Sequence, residues 1–330
     1  MQRLQDIVWG VLGAGAVCEK KSMPAMEIIP HSRVKTVMRR DAGACRAFAE
    51  RHRIPNWTTE SEVIFRDPEI NAVYIATPPD THEPYAVRAA KAGKAVYVEK
   101  PMARNYGECR NMIKACDEAD VPLFVAYYRR RLPHFLHIKE LLEAKAIGTV
   151  RSVTIRFIRS ARPDDIAAAE SNWRIRPAVS GGGHFHDLAS HQLDLMDYFF
   201  GPIRKVKGRA HNIAGYYEPA DTVWAEFDFD GGIHGSGEWN FVSPAGEEED
   251  TITVSGDEGE LRFSTFAHAR IEGTLSSGTA LHEEMILPVH IQEPLIRTIV
   301  AQLRGEGTCP SNGESAARTS RVMEEICSGK

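Results

Sequence analysis

Long apolar runs are absent from this chain of 330 residues, and no stretch approaches the roughly 18 residues that a membrane-spanning helix requires. The six cysteines form no CxxC pair, which argues against a zinc site and against a disulfide framework. Excess positive charge is absent too: the formal net charge is −5, so nucleic acid is not an expected partner. Without repeats or low-complexity segments, the sequence predicts a globular protein of the reducing cytoplasm, with no membrane partner.

Strand and helix patterns alternate in the first part of the chain. Hydrophobic residues make up 43% of the sequence and charged residues 26%, and the length favours two domains. The runs that we interpret as strands are IVWGVL, RVKTVM, NAVYIAT, AVYVE and PLFVAYY. Because these runs are almost entirely apolar, they predict a parallel sheet with helices on both faces. The first run is interpreted as a strand and not as a signal peptide.

The pattern changes near residue 148, where strands follow one another without intervening helices. The strands predicted there are GTVRSVTIRFI, DTVWAEFDF, GIHGSGEWNF, DTITVSG and GELRFST. Glycine-rich turns between several of them favour a large, mostly antiparallel sheet. A helix from about His184 to Phe200 and two C-terminal helices accompany it. The sequence thus predicts an α/β fold with domains at residues 1–126 and 127–330.

A glycine-rich turn follows the first strand and leads into a helix. Gly13 allows the tight turn, and Gly15 allows a pyrophosphate to approach the backbone next to Ala16 and Val17, at the positive end of the helix. Cys18 stands where a third glycine is usual, which weakens the motif without removing it. We interpret the turn as a dinucleotide-binding loop. The alternative is a tight strand–helix turn in another doubly wound protein.

The end of the second strand carries arginines where an acidic residue is typical of NAD-selective sites. Arg39 occupies the acidic place, Arg40 follows, and Asp41 is expected to point into the next turn. Two guanidinium groups suit a ribose 2′-phosphate by charge and by geometry. The pattern therefore predicts a preference for NADP(H). The alternative is a solvated arginine pair and a site that also accepts NAD(H).

The stretch VEKPM places a charged pair at the end of a buried strand. The carboxyl ends of parallel strands face the ligand crevice, so Lys100 is expected beside the substrate. Its ammonium group could hydrogen-bond a substrate hydroxyl and stabilise the alkoxide that forms as hydride leaves. Pro101 fixes the turn after it. Viewed alone, Lys100 could equally be a surface lysine after a strand.

The stretch SGGGHFHDLASHQLDL introduces a helix with an acid–histidine pair. Asp187 and His191 are four residues apart and so share one helix face, which Asp194 continues. Histidine exchanges protons near neutral pH, and a carboxylate one turn away can orient it. One alternative is a helix that only packs against the sheet. Another is a metal site built from His184, His186, Asp187 and His191, although the two earlier histidines point in different directions.

Four stretches together resemble the Gfo/Idh/MocA oxidoreductases, named after glucose-fructose oxidoreductase and inositol dehydrogenase. They are GVLGAGAV, YIATPPDTH, VYVEKPMARN and GGGHFHDLASHQLDL. The resemblance covers most of the chain in order. It implies a nucleotide-binding Rossmann domain and a C-terminal α+β domain. The large, open, mostly antiparallel sheet of the second domain would form a homodimer or homotetramer.

The resemblance also implies roles for individual residues. Glu99, Lys100 and Pro101 match the EKP motif, in which the lysine is catalytic and lies near the nicotinamide. Asp187 and His191 match the D-x-x-x-H pair, in which the histidine carries the proton. The residues that match the loop lining the cofactor are Ala76, Thr77, Pro78 and His82.

One further element and two departures concern the cofactor. Trp173 and Arg174 resemble a Trp-Arg element of NADP-using branches, which would contact the cofactor or cover the site; simple loop packing is the alternative for the tryptophan. Cys18 replaces a glycine or alanine. Arg39 replaces the usual acid, which brings NAD preference into question but not membership of the family.

The combined prediction is an NADP(H)-preferring oxidoreductase that moves hydride between the nicotinamide and a carbinol carbon of a sugar, polyol or related carbohydrate. Lys100 and His191 could exchange roles. Tyr128 and Arg130 could reach the substrate, but contacts between domains are the favoured interpretation. One alternative is a nucleotide-binding regulator, which need not keep both catalytic residues. The others are a dihydrodiol or xylose dehydrogenase, or an enzyme that processes glycosides by transient redox chemistry.

Overall fold

The computed structural model describes residues 3–167 and 172–329. The chain divides into two compact units. The first unit combines the N-terminal residues up to Tyr128 with the later segment Pro288–Ala317. The second unit consists of Arg129–Leu287 and Arg318–Lys330.

The first unit is built on a parallel sheet of six strands. Its strands are β1 (Ile7–Leu12), β2 (Ser32–Met38), β3 (Asn56–Thr58), β4 (Ala72–Ile75), β5 (Ala95–Val98) and β6 (Leu123–Val125). The helices between them are α1 (Met23–Ile28), α2 (Ala42–His52), α3 (Ser61–Arg66), α4 (His82–Lys91) and α5 (Tyr106–Glu118). All residues of β1, β4, β5 and β6 are buried, as strands covered on both faces must be.

The strand order β3-β2-β1-β4-β5-β6 is that of a Rossmann sheet, and the predicted parallel sheet is confirmed. The order reverses between β1 and β4, and ligands of such sheets bind beside the carboxyl ends of the strands at this switch point. The sequence did not predict β3 or α3, because a three-residue strand with exposed side chains carries almost no hydrophobic signal.

The second unit is built on a sheet of eight strands. These are β7 (Val150–Ser160), β8 (Ile203–His211), β9 (Thr222–Phe229), β10 (His234–Ser243), β11 (Glu249–Gly256), β12 (Glu260–Phe263), β13 (Arg270–Thr274) and β14 (Ala280–Glu284). Its helices are α6 (Pro133–Glu143), α7 (Pro163–Ala167), α8 (Pro177–Ser180) and α9 (Ser190–Phe200). The neighbouring strands pair antiparallel except for β7 and β10, which are parallel. The prediction of a mostly antiparallel sheet is confirmed.

One face of this sheet is buried under the helix that carries the acid–histidine pair. A π-helical turn, Phe185–Ala189, runs directly into α9. Trp239 of β10 is fully buried, and its indole nitrogen donates a hydrogen bond of 2.6 Å to Gln192 of α9. Leu195 and Met196 are fully buried as well. The helix is therefore anchored by apolar burial and by one buried polar contact.

The opposite face of the sheet carries polar side chains at alternate positions. Arg156 of β7 forms ion pairs of 2.9 Å with Glu238 of β10 and with Glu249 of β11. Trp224 of β9 is 39% exposed and supplies apolar surface to this face.

The chain ends in helices α10 (Glu293–Arg304) and α11 (Gly313–Ser328). Helix α10 lies in the segment that returns to the first unit. Its apolar residues recur on one face and are buried, with Leu295, Ile299 and Leu303 fully so. Among the helices of residues 3–167 and 172–329, none has the length and apolar character to cross a membrane.

Candidate active site

The glycine-rich turn after β1 is held by the protein's own backbone. The amide of Gly13 donates a hydrogen bond of 3.0 Å to the Met38 carbonyl at the end of β2. Gly13 has a φ of +87°, and a Cβ atom there would lie 2.7 Å from the backbone nitrogen of Thr77. Both the conformation and the close approach of the loop after β4 require glycine at this position.

The protein's own structure does not require a glycine at position 15. The atom nearest to a Cβ placed there would be the Gly13 carbonyl oxygen at 3.7 Å, an ordinary contact distance, and its φ is not positive. Gly15 and Val17 are half-buried, and Ala16 is exposed where the helix begins. The space left by the missing side chain suits the close approach of a pyrophosphate to the backbone. The loop therefore fits a bound dinucleotide.

Cys18 fits the third position of the motif as a small, neutral side chain. It is fully buried in a π-helical turn, Cys18–Ser22, that precedes α1. Its thiol donates a hydrogen bond of 3.7 Å to the Gly13 carbonyl. Burial raises the pKa of the thiol to about 12, so it stays protonated at neutral pH. The departure from glycine is thus accommodated by packing and by a contact with the loop.

We expect alanine at Gly13 and at Gly15 to have different effects. Gly15→Ala should weaken NADPH binding by about tenfold or more, roughly 1.4 kcal/mol, without lowering the unfolding temperature, because only a ligand competes for that space. Gly13→Ala should also lower the free energy of unfolding by about 1 to 3 kcal/mol through backbone strain. Fluorescence titration and thermal unfolding of both variants test this. Equal binding by Gly15→Ala and the wild type would contradict the assignment of the loop.

The end of β2 presents two arginines and no available carboxylate. Arg39 is half-buried and Arg40 is exposed, and neither forms an ion pair with another residue that the structure describes. Asp41 caps helix α2, and its carboxylate accepts a hydrogen bond of 2.7 Å from the amide of Ala44. The acid that follows the arginines is therefore already engaged within the protein.

The loop after β4 is tied to the loop after β5 by a buried histidine. Both ring nitrogens of His82 lie near backbone carbonyls: Nε2 is 2.8 Å from the oxygen of Thr77, and Nδ1 is 3.1 Å from that of Pro101. His82 is fully buried, and burial lowers its pKa. Ala76 and Pro78 flank Thr77, so this contact positions the whole Ala76–Pro78 loop. His82 thus ties the Ala76–Pro78 loop to the backbone at Pro101.

Glu99 belongs to a buried hydrogen-bond network next to Lys100. Its carboxylate accepts hydrogen bonds of 2.6 Å from the Tyr74 hydroxyl and of 2.8 Å from the Gln292 amide. The Tyr97 hydroxyl donates to the Gln292 carbonyl oxygen at 3.0 Å. The amide of Lys100 lies 3.3 Å from the second oxygen of Glu99. These hydrogen bonds hold the side chain of Glu99 in place. Because Glu99 precedes Lys100 and also contacts its amide, the network fixes the backbone that carries the lysine side chain.

Lys100 itself is half-buried at the carboxyl end of β5, and the peptide bond that joins it to Pro101 is cis. Its strand lies beside β4, one position from the switch point of the sheet. The first unit thus brings the glycine loop, the Ala76–Pro78 loop and Lys100 to the same edge of one sheet.

In the second unit, the acid–histidine pair lies where the helix changes from π to α geometry. Asp187 is in the π-helical turn and His191 is in the first turn of α9. π-helical turns within α-helices are frequent at functional sites. His191 is 4% exposed, and its ring centroid lies 5.7 Å from that of Phe266 in an edge-on contact.

Asp187 is connected to the Trp-Arg element. Nε of Arg174 lies 3.4 Å from Oδ2 of Asp187, and the guanidinium lies over the Trp173 ring, 4.6 Å from its centroid. Trp173 is half-buried and Arg174 is exposed. The structure therefore brings together two elements that the sequence treated as separate.

The two earlier histidines have other partners. Nε2 of His184 lies 2.9 Å from Oδ1 of Asp165, and Nδ1 of His186 lies 3.2 Å from the Gly182 carbonyl. Burial lowers the pKa of His184, and it lowers that of His186 to about 4. Among the residues that the structure describes, no group of three or more histidines, cysteines and acids is arranged to hold a metal ion.

Asp194, which the sequence places one turn after His191, belongs to a buried ion-pair cluster. Its two oxygens accept hydrogen bonds of 2.8 and 2.6 Å from the guanidinium of Arg130. One turn further along α9, Asp197 is paired in the same way with Arg318, with both hydrogen bonds at 2.7 Å. Arg130 and Asp194 are 3% and 1% exposed. Arg130, for which a contact between domains was the favoured prediction and the substrate the alternative, forms this ion pair within the second unit.

Comparison with known proteins identifies the family. Residues 7–127 match the model of an oxidoreductase family with an NAD-binding Rossmann fold, and residues 135–262 match the GFO/IDH/MocA C-terminal domain. Oxidoreductase P35 of Formosa agariphila is 39% identical over 97% of this chain and 98% of its own length. The chain belongs to the Gfo/Idh/MocA family of oxidoreductases.

More distant relatives of this Gfo/Idh/MocA oxidoreductase include dehydrogenases of polyols and sugars. The scyllo-inositol 2-dehydrogenase (NAD(+)) of Bacillus subtilis is 25% identical over 92% of this chain and 86% of its own length. The fold matches that of a levoglucosan dehydrogenase in complex with NADH and levoglucosan, with a TM-score of 0.86 and 21% identity over 98% and 96% of the two chains. The family resemblance inferred from the motifs is thereby confirmed, and the protein is an oxidoreductase.

Several residues around these motifs were missed by the sequence analysis of the Gfo/Idh/MocA chain. Gln292 is fully buried against Glu99, although 193 positions separate them. Asp165 was assigned no role, and it is 1% exposed beside His184. Neither contact leaves a local signal, because each depends on chain segments that are distant in sequence or irregular in structure.

Proposed function

We propose that this Gfo/Idh/MocA protein is an NADP(H)-preferring oxidoreductase that transfers hydride between the nicotinamide and a carbinol or carbonyl carbon of a carbohydrate. The observation that supports NADP(H) is the pair Arg39 and Arg40. No carboxylate of the described residues neutralises them, and Asp41 is engaged in capping α2. A ribose 2′-phosphate would find two positive donors there, whereas a 2′-hydroxyl would find no free acceptor of the usual kind.

Replacing Arg39 with aspartate tests this preference. We expect NADPH affinity to fall by at least about tenfold, since hydrogen bonds to charged groups contribute about 1.5 to 3 kcal/mol. NADH affinity should be unchanged or higher, because the new acid can accept from the ribose hydroxyls. Fluorescence titration with each cofactor measures both constants.

Arg33, an exposed residue near the start of the same strand, provides the matched control. Arg33→Asp should leave the ratio of the two affinities unchanged. Tighter binding of NADH than of NADPH by the wild type would argue that the arginines point into solvent. Failure to bind either cofactor, in protein shown to be free of copurified nucleotide, would contradict the function itself.

The catalytic roles follow from the chemistry of three side chains. A bound nicotinamide supplies the hydride acceptor or donor. Lys100 would donate a hydrogen bond to the substrate oxygen and stabilise the alkoxide character that develops during oxidation. His191 would take the hydroxyl proton as a general base, a task that suits an imidazole near neutral pH. Asp187 would orient His191 or a substrate hydroxyl, and its ion pair with Arg174 holds its carboxylate in place.

The proposed substrate class is carbohydrate. The names of the relatives point to polyols and anhydrosugars, including inositol and levoglucosan. A second candidate is a dihydrodiol, because the trans-1,2-dihydrobenzene-1,2-diol dehydrogenase of Bos taurus is 28% identical over 76% of this chain. A screen of sugars, polyols and a dihydrodiol with NADP⁺ and NAD⁺ distinguishes the two classes.

The proposal also covers the oligomeric state of the protein and its cellular compartment. We propose that the outer face of the eight-stranded sheet forms a homodimer or a homotetramer, with Trp224 as an apolar contact. The proposed location is the cytoplasm, in agreement with cysteines that are all free.

A further inference from the structure

Arg159 interrupts the apolar face of β7. Alternate residues of a strand point to the same face, and Val153, Ile155 and Phe157 are buried on the face that the helices cover. Arg159 is the next residue of this series, so its side chain starts on the same covered face. It is half-buried there, near the end of the strand.

The surroundings of Arg159 are formed by the cluster around His184. Aromatic rings connect strand β7 with this cluster. The ring centroid of Phe157 lies 6.0 Å from that of Phe241, and the ring centroid of Phe241 lies 5.7 Å from that of His184. The ring of Tyr217 lies 5.6 Å from His184 on an edge-on approach. The whole cluster is built from residues of the second unit.

The carboxylates of the cluster are already engaged. Asp165 lies 2.9 Å from Nε2 of His184 and accepts a hydrogen bond of 3.0 Å from the side chain of Asn172. Asp187 pairs with Arg174. Within the part of the chain that the structure describes, Arg159 forms neither an ion pair nor a hydrogen bond with either acid.

Arg159 therefore has no ion-pair partner among the described residues, and the carboxylates of Asp165 and Asp187 act on its charge only through space. The guanidinium of Arg162 and the carboxylates of Asp165 and Asp187 all lie close enough to act on the charge of Arg159. Burial, followed by the positive charge of Arg162, lowers the pKa of Arg159. Removing an unpaired charge from water costs stability, and charged groups kept in such places often bind a ligand of opposite charge.

Tyr217 adds a neutral hydrogen-bond donor. The residue is 7% exposed, and its buried hydroxyl has no partner among the described residues. Burial raises its pKa, so the phenol keeps its proton at neutral pH. Buried hydroxyls normally have a hydrogen-bond partner, so an unpaired hydroxyl near a guanidinium that forms no ion pair with the described residues is a further sign of a missing acceptor.

We propose that Arg159 and the hydroxyl of Tyr217 form a subsite for a carboxylate of the substrate, so that the preferred carbohydrate is a sugar acid. This inference rests on the proposed function, because it names the substrate class of the same reaction. A guanidinium fork matches a carboxylate in shape and charge. A phosphate group fits less well, because the nearby acids Asp165 and Asp187 would repel its second negative charge.

Matched sugar pairs test the subsite. Initial rates are measured with D-glucose and D-glucuronate, and with D-galactose and D-galacturonate, each with NADP⁺ and NAD⁺. The wild type should prefer the acid of each pair by about tenfold or more in kcat/KM. Arg159→Met should reduce that acid-to-neutral ratio at least about tenfold, mainly through KM, with partial recovery in Arg159→Lys, which keeps the charge without the fork. Tyr217→Phe should reduce the ratio by a smaller factor.

Two controls separate a binding role from a structural one. Arg151 lies at the start of the same strand, is exposed and pairs with Asp257, so Arg151→Met should leave the ratio unchanged. Thermal unfolding gives the second control. An unpaired arginine should leave the unfolding temperature equal or higher when it is replaced, whereas a structural arginine would lower it.

The failure of the subsite can be distinguished from failure of the proposed function. Equal use of acid and neutral sugar by the wild type, or an unchanged ratio in Arg159→Met, would overturn the subsite and leave the oxidoreductase intact. If none of the four sugars is oxidised, stabilisation against heat by D-glucuronate is compared with that by D-glucose. Stabilisation by the acid in the wild type but not in Arg159→Met would support the subsite; its absence in the wild type would overturn it.

Discussion

Alanine in place of Lys100 is expected to lower kcat by about a hundredfold or more, while the affinity for NADPH stays within about twofold of the wild type. The reason is that, in the proposed mechanism, the ammonium group acts on the substrate oxygen, whereas the loops around Gly15 and Arg39 would bind the cofactor. His191→Ala should have an effect of similar size, because it removes the proposed proton carrier. Steady-state kinetics on the best substrate of the screen, with a cofactor titration of each variant, measure both quantities.

The control for this experiment is Lys91, an exposed lysine at the end of α4. Lys91→Ala should match the wild type in kcat and in cofactor affinity. A pH profile assigns the roles of the two residues: the variant that lacks the general base should lose the rise of kcat/KM with pH, and the other should keep it. Normal turnover in both Lys100→Ala and His191→Ala would show that the reaction is carried by other residues.

Alanine in place of Asp194 is expected to lower the free energy of unfolding by about 3 to 5 kcal/mol, because the guanidinium of Arg130 is left buried without its bidentate partner. Asp197 lies 3.6 Å from Arg130 but is itself held by Arg318, so it compensates only in part. Chemical denaturation of the variant, with fluorescence and circular dichroism as probes, measures the change.

A double variant separates the loss of a pair from the cost of an orphaned charge. Arg130→Met combined with Asp194→Leu removes both charges and should be more stable than Asp194→Ala alone. If Asp194→Ala unfolded at the same denaturant concentration as the wild type, the buried pair would contribute nothing to stability. If the double variant were the least stable, the ion pair would contribute more to the free energy of unfolding than its apolar replacement does.

The regular parts of the fold follow from local patterns. The run IVWGVL coincides with β1, because a strand covered on both faces leaves a continuous apolar signal. Strand β3 lies at the edge of the sheet and left no such signal. The segment Pro288–Ala317 belongs to the first unit, an assignment that no local pattern in α10 could reveal. An amphipathic pattern predicts that one face of a helix will be buried, but it does not predict which part of the chain will cover that face.

Some residues of the candidate site could likewise be predicted from local sequence, whereas others depend on distant segments of the chain. The turn at Gly13 and the capping role of Asp41 were accessible from sequence, because each depends on neighbouring residues. The ion pair between Arg174 and Asp187 joins two irregular segments, and no spacing rule connects them. Arg159 did leave a signal. It continues the alternation of Val153, Ile155 and Phe157, and a charged residue in such a series marks a position with an unusual environment.

The hydrogen bond between Gln292 and Glu99 has a consequence for the order in which the protein is made. Translation runs from the N-terminus, and domains generally fold as units as they emerge from the ribosome. A nascent chain that ends at Leu287 contains all six strands of the Rossmann sheet and the whole eight-stranded sheet, yet it still lacks Gln292 and helix α10. The network beside Lys100 can therefore close only after the eight-stranded sheet has been synthesised, so the unit that begins first along the gene is completed by a segment encoded after both sheets.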